Sequence, residues 1–356
     1  MTLSPLLFAA DAIASQPILI NVIVITVLAA STWVWIAWQR SNSLGNDFFG
    51  PRDPRSERVK PWGQVVVFGF LGMILVGVML LLFLTKDLRQ LPADPTSPER
   101  LALQLISMRW STIGNLITLA LVLGFSFWQV QITAGEQLPW IGLIPTRRDL
   151  RDGLLLGLAC VPLLYIMQGF LQYLLVEVFQ QPRVEHPLIE LVRKNKDTDP
   201  GVVTELMVWI AVSVSVITPV LEELLFRGLL QGWLRTKYHA IASKILGTPS
   251  GVEYISGPDS DNPYQASQVR VLTSPAERQR RRLTTWAPIF ISSMAFSLAH
   301  VGHGPAPITL FFFSLALGYA YEKTGRLAPS IIAHLMLNLT TTIMLWLMIS
   351  GRIPAE

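Results

Sequence analysis

The chain has 356 residues, of which 51% are hydrophobic and 15% charged, with a mean hydropathy of +0.45 and a formal net charge of +4. Soluble globular proteins carry about 25% charged residues, so the composition excludes an ordinary soluble domain and makes a membrane protein the default class. The positive charge sits in loops between apolar runs, without a basic and aromatic patch or a phosphate-cradling glycine loop, so no nucleic-acid partner is expected.

Apolar stretches of bilayer-crossing length, about 17–25 residues, recur along the whole chain. Eight helices are predicted, at about 17–38, 62–84, 111–133, 153–178, 204–230, 286–302, 306–322 and 328–349. The expected fold is all-α, a polytopic transmembrane helix bundle of about eight spans. Residues 1–16 hold no Lys or Arg, so the first span reads as a retained helix and not as a secretory signal. In the fourth span the lone Cys160 reads as a small buried apolar residue. Gly153 and Gly157 stand four apart, as do Gly228 and Gly232, the spacing that lets membrane helices approach closely. The stretch 184–192 reads as a short interfacial helix, with His186 outside the membrane core. The polar interval 236–285 reads as a flexible cytoplasmic loop insertion. The organisation expected is an N-terminal set of helices over 1–200 and a core over 201–350 that contains this loop.

With the N-terminus outside, the loops 39–61, 134–152, 231–285 and 323–327 face the cytoplasm and hold 18 Lys and Arg, against 9 on the opposite side. The positive-inside rule then places both termini outside the cytoplasm. A multi-pass protein of the cell (inner) membrane is expected.

Three patterns stand in order in the late apolar sequence: Glu222-Glu223-Leu-Leu-Phe-Arg227, Phe296-Ser-Leu-Ala-His300 and His334-Leu-Met-Leu-Asn338. Ionisable side chains in hydrocarbon cost on the order of 2.5–3.5 kcal/mol each on insertion scales, so this concentration requires a functional account. On a helix, residues four apart share a face and neighbours point about 100° apart. Glu223 and Arg227 are therefore expected to pair as a structural salt bridge, leaving Glu222 to face a polar intramembrane cavity. Pro219 removes one backbone N–H and is expected to leave a carbonyl for water or a neighbouring group. Phe296 shares a face with His300, and His334 with Asn338.

A desolvated carboxylate can take a proton from water near neutral pH, and an imidazole beside it can orient that water or protonate a leaving amine. His334 and Asn338 can donate to a developing oxyanion. The same set supplies zinc ligands, Glu222, His300 and His334 with water in the fourth position, although no His-Glu-x-x-His is present. Residue types alone do not separate a metal-activated water from a carboxylate-activated one. A rival reading from another class is a non-catalytic membrane scaffold or immunity-type binding protein that uses the polar cluster for fold specificity. A transporter fits less well, because the polar groups converge late and no inverted repeat is visible.

On these three patterns, over roughly residues 200–350, the chain resembles the CPBP family, the type II CAAX prenyl endopeptidases with their bacteriocin-processing and immunity relatives. The resemblance implies an α-helical intramembrane endopeptidase in which Glu222 with His300 activates water while His334 and Asn338 hold the oxyanion. Glu223, Arg227 and Phe296 would support the site. It favours a metal-free glutamate mechanism without a cofactor, zinc being the alternative. It also implies a membrane-associated protein or peptide substrate, cleaved near its C-terminus or a membrane-proximal segment, whose prenylation the sequence leaves open.

Glu222 and His334 fall toward the cytoplasmic ends of their expected spans, whereas His300 falls near the outer end of the span starting at about 286. The groups meet only if that helix begins well outside the hydrocarbon or ends partway through it, around a water-filled cavity open to the cytoplasm.

Overall fold

The computed structural model describes residues 25–41, 49, 98–134, 142–182, 200–246, 279–280 and 282–350, with isolated positions between 71 and 82. Most of the expected span 62–84, the stretch 184–192 with His186, and residues 247–278 of the expected loop lie outside the described residues.

Every regular element among the described residues is a helix. Helix α1 covers 25–41 and α2 Pro98–Ala134. Helix α3 covers Arg147–Tyr173 and ends in a wider turn, Leu174–Val178. Helix α4 is continuous from Pro200–Val212 through Ser213–Ile217, Thr218–Glu223, Leu224–Gln231 and Gly232–Leu246, the second and fourth of these being wider, π-type turns. Helix α5 joins Arg282–Trp286 to Ala287–Leu298, α6 is Ala306–Thr324, and α7 is Ala328–Ile349.

Among the described residues, four stretches are long and apolar enough to cross a bilayer: Leu105–Gly124, Arg147–Val178, Val203–Ile245 and Ala328–Ile349, with a shorter apolar helix at Leu283–Leu298. They correspond to four of the eight expected spans and make the chain an integral membrane protein. Two starts move from their expected places for local reasons. Pro98 opens α2 well before 111, since proline at a first helical position costs no hydrogen bond. Helix α3 starts at Arg147 because Thr146 and Asp149 form a reciprocal capping box, Thr146 N–H to Asp149 Oδ2 at 2.7 Å and Asp149 N–H to Thr146 Oγ1 at 3.2 Å.

Helix α4 also runs past its expected end at 230, so residues 236–246 of the interval read as loop are helical. Its apolar membrane stretch, 43 residues, would measure about 64 Å, twice a hydrocarbon core of about 30 Å. Helix α5 runs antiparallel along this second half, where Leu234 and Ala242 are buried, and Ser292 Oγ donates to the Phe226 carbonyl at 2.7 Å. Helix α5 thus starts beside the far end of α4 and stops at Leu298, level with Glu222. The length of α4 is what lets α5 bring His300 to Glu222.

A tight turn at 299–305, with Gly302 and Gly304 at positive φ, sends the chain back into α6. Ser297 Oγ closes that turn on the Pro307 carbonyl at 2.6 Å. Helix α7 lies against α3, and the glycine pair makes this approach possible. A Cβ on Gly153 would stand 2.7 Å from Ile332 Cβ and 2.8 Å from the Pro329 carbonyl, and one on Gly157 would stand 2.4 Å from Met336 Sδ. The α6–α7 turn is held from the other side by the segment leading into α3. Ala328 N–H bonds the Gly142 carbonyl at 2.9 Å, and Arg326 Nε reaches the buried Asp149 carboxylate at 2.9 Å. These contacts set the height of α7, and so of His334, against α4.

Candidate active site

Glu222 and Glu223 end the short regular stretch of α4 that lies between its two wide turns, a place where such turns are often found in functional sites. Neighbouring positions point different ways, as expected. Glu223 is fully buried and meets the fully buried Arg227, Oε2 to Nε at 3.2 Å. That contact is angled away from a hydrogen bond, so it is a charge pairing first. Arg227 Nη2 donates to the buried Ser314 Oγ at 3.1 Å, and its guanidinium lies 5.1 Å from the Phe296 ring centroid. Desolvating a guanidinium is tolerable only with partners of this kind.

Glu223 has a second partner that the sequence did not reveal. Its Oε1 accepts from His334 Nδ1 at 3.0 Å. A carboxylate that accepts from Nδ1 fixes the proton there and turns Nε2 outward. His300 is tied in the same way, with Nδ1 donating to the Phe296 carbonyl at 2.8 Å. A carbonyl can only accept, so this ring too presents Nε2 to the site. Phe296 packs against both rings, 4.8 Å from His300 and 5.7 Å from His334 between centroids, and Phe313 faces His334 from another side at 5.7 Å.

Both outward nitrogens meet at Glu222. Its Oε1 is 3.8 Å from His300 Nε2 and its Oε2 is 3.6 Å from His334 Nε2. These distances are too long for direct hydrogen bonds and suit a bridging group. The space among these three groups suits a small molecule that can hydrogen-bond to each of them, such as water. The Glu222 and His300 side chains are 19% and 20% exposed, so the point of convergence is accessible, while His334 is buried.

Asn338, one turn beyond His334, donates Nδ2 to the Val214 carbonyl at 2.8 Å and keeps its second amide hydrogen for another acceptor. The structure therefore brings Glu222, Glu223, Arg227, Phe296, His300 and His334 into one cluster and places Asn338 at its edge. His303, read as loop, stands in the 299–305 turn, 6.1 Å from the His300 ring. The zinc alternative would draw on Glu222, His300 and His334, whose donor types suit that ion and whose Nδ1 partners are those that orient metal-bound imidazoles. Among the described residues no group of three His, Cys, Asp or Glu is arranged to hold a metal ion.

The fold and this cluster define a polytopic helical membrane protein with a carboxylate and two imidazoles assembled within the helices. Residues 204–252 and 270–340 match the family model of the type II CAAX prenyl endopeptidases, Rce1-like, and all the residues just named fall within the match. Over these two stretches the chain is similar to the Rce1-like type II CAAX prenyl endopeptidases, in keeping with the CPBP resemblance. No curated protein and no solved structure matches the chain.

Proposed function

We propose that the chain is an intramembrane endopeptidase that hydrolyses a peptide bond in a membrane-associated protein or peptide, by a glutamate mechanism. The observation that carries this reading is the approach of both His300 Nε2 and His334 Nε2 to one partly exposed carboxylate, Glu222. Water held between Glu222 and His300 loses a proton to the carboxylate as its oxygen attacks the scissile carbonyl. The oxyanion that forms accepts from His334 Nε2–H and from the free amide hydrogen of Asn338. With Nδ1–H already given to Glu223, His334 donates from Nε2 only when its ring carries both protons, and the Glu223 carboxylate offsets that charge. The proton taken from water passes through Glu222 or His300 to the leaving amine as the C–N bond breaks.

The substrate we propose is a CAAX-type or juxtamembrane segment. An apolar groove of about 370 Å³ lies between the first turns of α4 and the last turns of α7, lined by Met207, Ala211, Leu339, Thr342, Ile343 and Trp346 among others. It suits the apolar side chains or the lipid-bearing end of such a segment. The loop between α4 and α5 is proposed to face the cytoplasm, from its share of Lys and Arg.

The test is cleavage of a quenched peptide library, some members prenylated at a C-terminal cysteine, by detergent-purified protein with and without a metal chelator. Turnover that survives the chelator and vanishes in Glu222→Gln is expected. Chelator-sensitive turnover would move the mechanism to a bound metal, and wild-type turnover by Glu222→Gln would sink the assignment.

A further inference from the structure

Every fourth residue along one face of α7 reaches α4. His334 meets Glu222 and Glu223, Asn338 bonds the Val214 carbonyl, and Thr342 Oγ1 lies 2.8 Å from Ser215 Oγ. Ser215 is 2% exposed and Thr342 7%. Thr342 lies beyond the family match, which ends at 340.

Both of the later contacts grip the wide turn Ser213–Ile217. Here Thr218 N–H bonds the Ser213 carbonyl, five residues back instead of four. Continued one step, that spacing would give the Val214 carbonyl the N–H of residue 219, which is proline and has none. The Asn338 amide takes its place. The sequence led us to expect a carbonyl orphaned by Pro219; ordinary spacing would make it that of Ser215, and the wide turn moves it to Val214.

A wide turn holds one residue more than a regular turn, so everything after it is rotated by one residue's step, about 100°. Glu222 lies five residues past this turn, in the regular stretch that it leads into. If residues 213–217 closed to ordinary helical spacing, the Glu222 carboxylate would swing away from both imidazoles.

We infer that Ser215 and Thr342 are positioning residues, a hydroxyl pair that holds the wide turn open and so sets the direction in which Glu222 points. Neither touches the reacting atoms. The inference rests on the reading of Glu222 as the base.

The test compares the wild type with the double variant Ser215→Ala/Thr342→Val and with Thr342→Ser. The double change removes both hydroxyls and keeps the valine shape, so no buried polar atom is orphaned and folding is spared. In the double variant kcat is expected to fall at least tenfold, since a misplacement of about 1 Å can cost 10²-fold. Amide hydrogen exchange over 213–219 should rise with exchange over 232–246 unchanged, and Thr342→Ser should restore both readouts. Wild-type kcat in the double variant, a loss that merely tracks the folded fraction, or unchanged exchange over 213–219 would overturn the inference. Glu222→Gln run alongside separates the two levels. Its full activity would remove the peptidase reading, whereas the exchange data judge the positioning pair on their own.

Discussion

Glu223→Gln separates the two jobs of the inner carboxylate. In the wild type its two oxygens serve two buried partners, Oε2 toward Arg227 at 3.2 Å and Oε1 toward His334 Nδ1 at 3.0 Å, with all three side chains at most 3% exposed. Glutamine keeps the shape but has one acceptor oxygen and no charge. Whichever partner the oxygen keeps, the other meets an NH₂ group, and Arg227 is left as an uncompensated buried cation. Breaking a buried pair in this way costs about 3–5 kcal/mol, a large part of a total stability of about 5–15 kcal/mol. The loss should be visible as a lower unfolding midpoint in detergent. The second effect is on turnover per folded molecule. Without the Glu223 carboxylate His334 loses both its fixed tautomer and the counter-charge for a doubly protonated ring. A comparable amide exchange in the Ser-His-Asp template drops kcat by ~10⁴, and a fall of ~10²–10⁴ is expected here. The assay is kcat normalised to folded protein, beside denaturant unfolding of the same preparation. A Glu223→Gln protein with wild-type stability would refute the buried-pair argument, and one that is destabilised but turns over normally per folded molecule would refute the link to His334. Glu222→Gln should behave in the opposite way, inactive but as stable as the wild type, because Glu222 is partly exposed and stands 3.6–3.8 Å from the two imidazoles, too far for a direct hydrogen bond to be lost.

Two structural predictions concern how α7 is held. Gly153→Ala should destabilise by about 1–3 kcal/mol, as overpacking does, because its Cβ would meet the Pro329 carbonyl and Ile332. Gly157→Ala should cost less, because its main obstacle is the flexible Met336 side chain; equal unfolding midpoints for the two variants would contradict this account. Arg326→Ala removes the ion-pair partner of the buried Asp149 and the bond to the Ile144 carbonyl; Thr146 still bonds Oδ2, but Oδ1 loses its donor, so the change should cost about 1–3 kcal/mol. Wild-type unfolding of this variant would show that the segment before α3 does not hold the α6–α7 turn.

Much of the site was legible from spacing because a single helix carries its own geometry. The four-residue interval predicted the Glu223–Arg227 pair, the adjacency of Glu222 predicted its different direction, and Pro219 predicted an orphaned carbonyl. Gly153 and Gly157 predicted a close helix approach. Even the Thr146–Asp149 capping box was readable, since a Thr followed three residues later by Asp is a local signal, although the start of α3 was placed later. What could not be read locally was which helix supplies the partner. The second bond of Glu223 goes to His334, 111 residues away, and the Val214 carbonyl is filled by Asn338 from 124 residues away. Ser314, which holds Arg227, carries no sequence signal at all, since a lone serine in an apolar helix is ordinary.

By itself the sequence determined a membrane-embedded helical chain and the identity of its costly polar groups, because burial of charge in hydrocarbon leaves a mark in composition whatever the packing. Only the tertiary structure decided how those groups divide their work. The extension of α4 to Leu246 brings the end of α5 level with Glu222, and the wide turn at 213–217 sets the direction in which that carboxylate points. Hydrogen bonds to the Phe296 carbonyl and the Glu223 carboxylate decide which nitrogen each histidine presents. Hydropathy is summed along the chain, whereas helix length beyond the bilayer, helical register and imidazole tautomer depend on contacts between residues far apart in it.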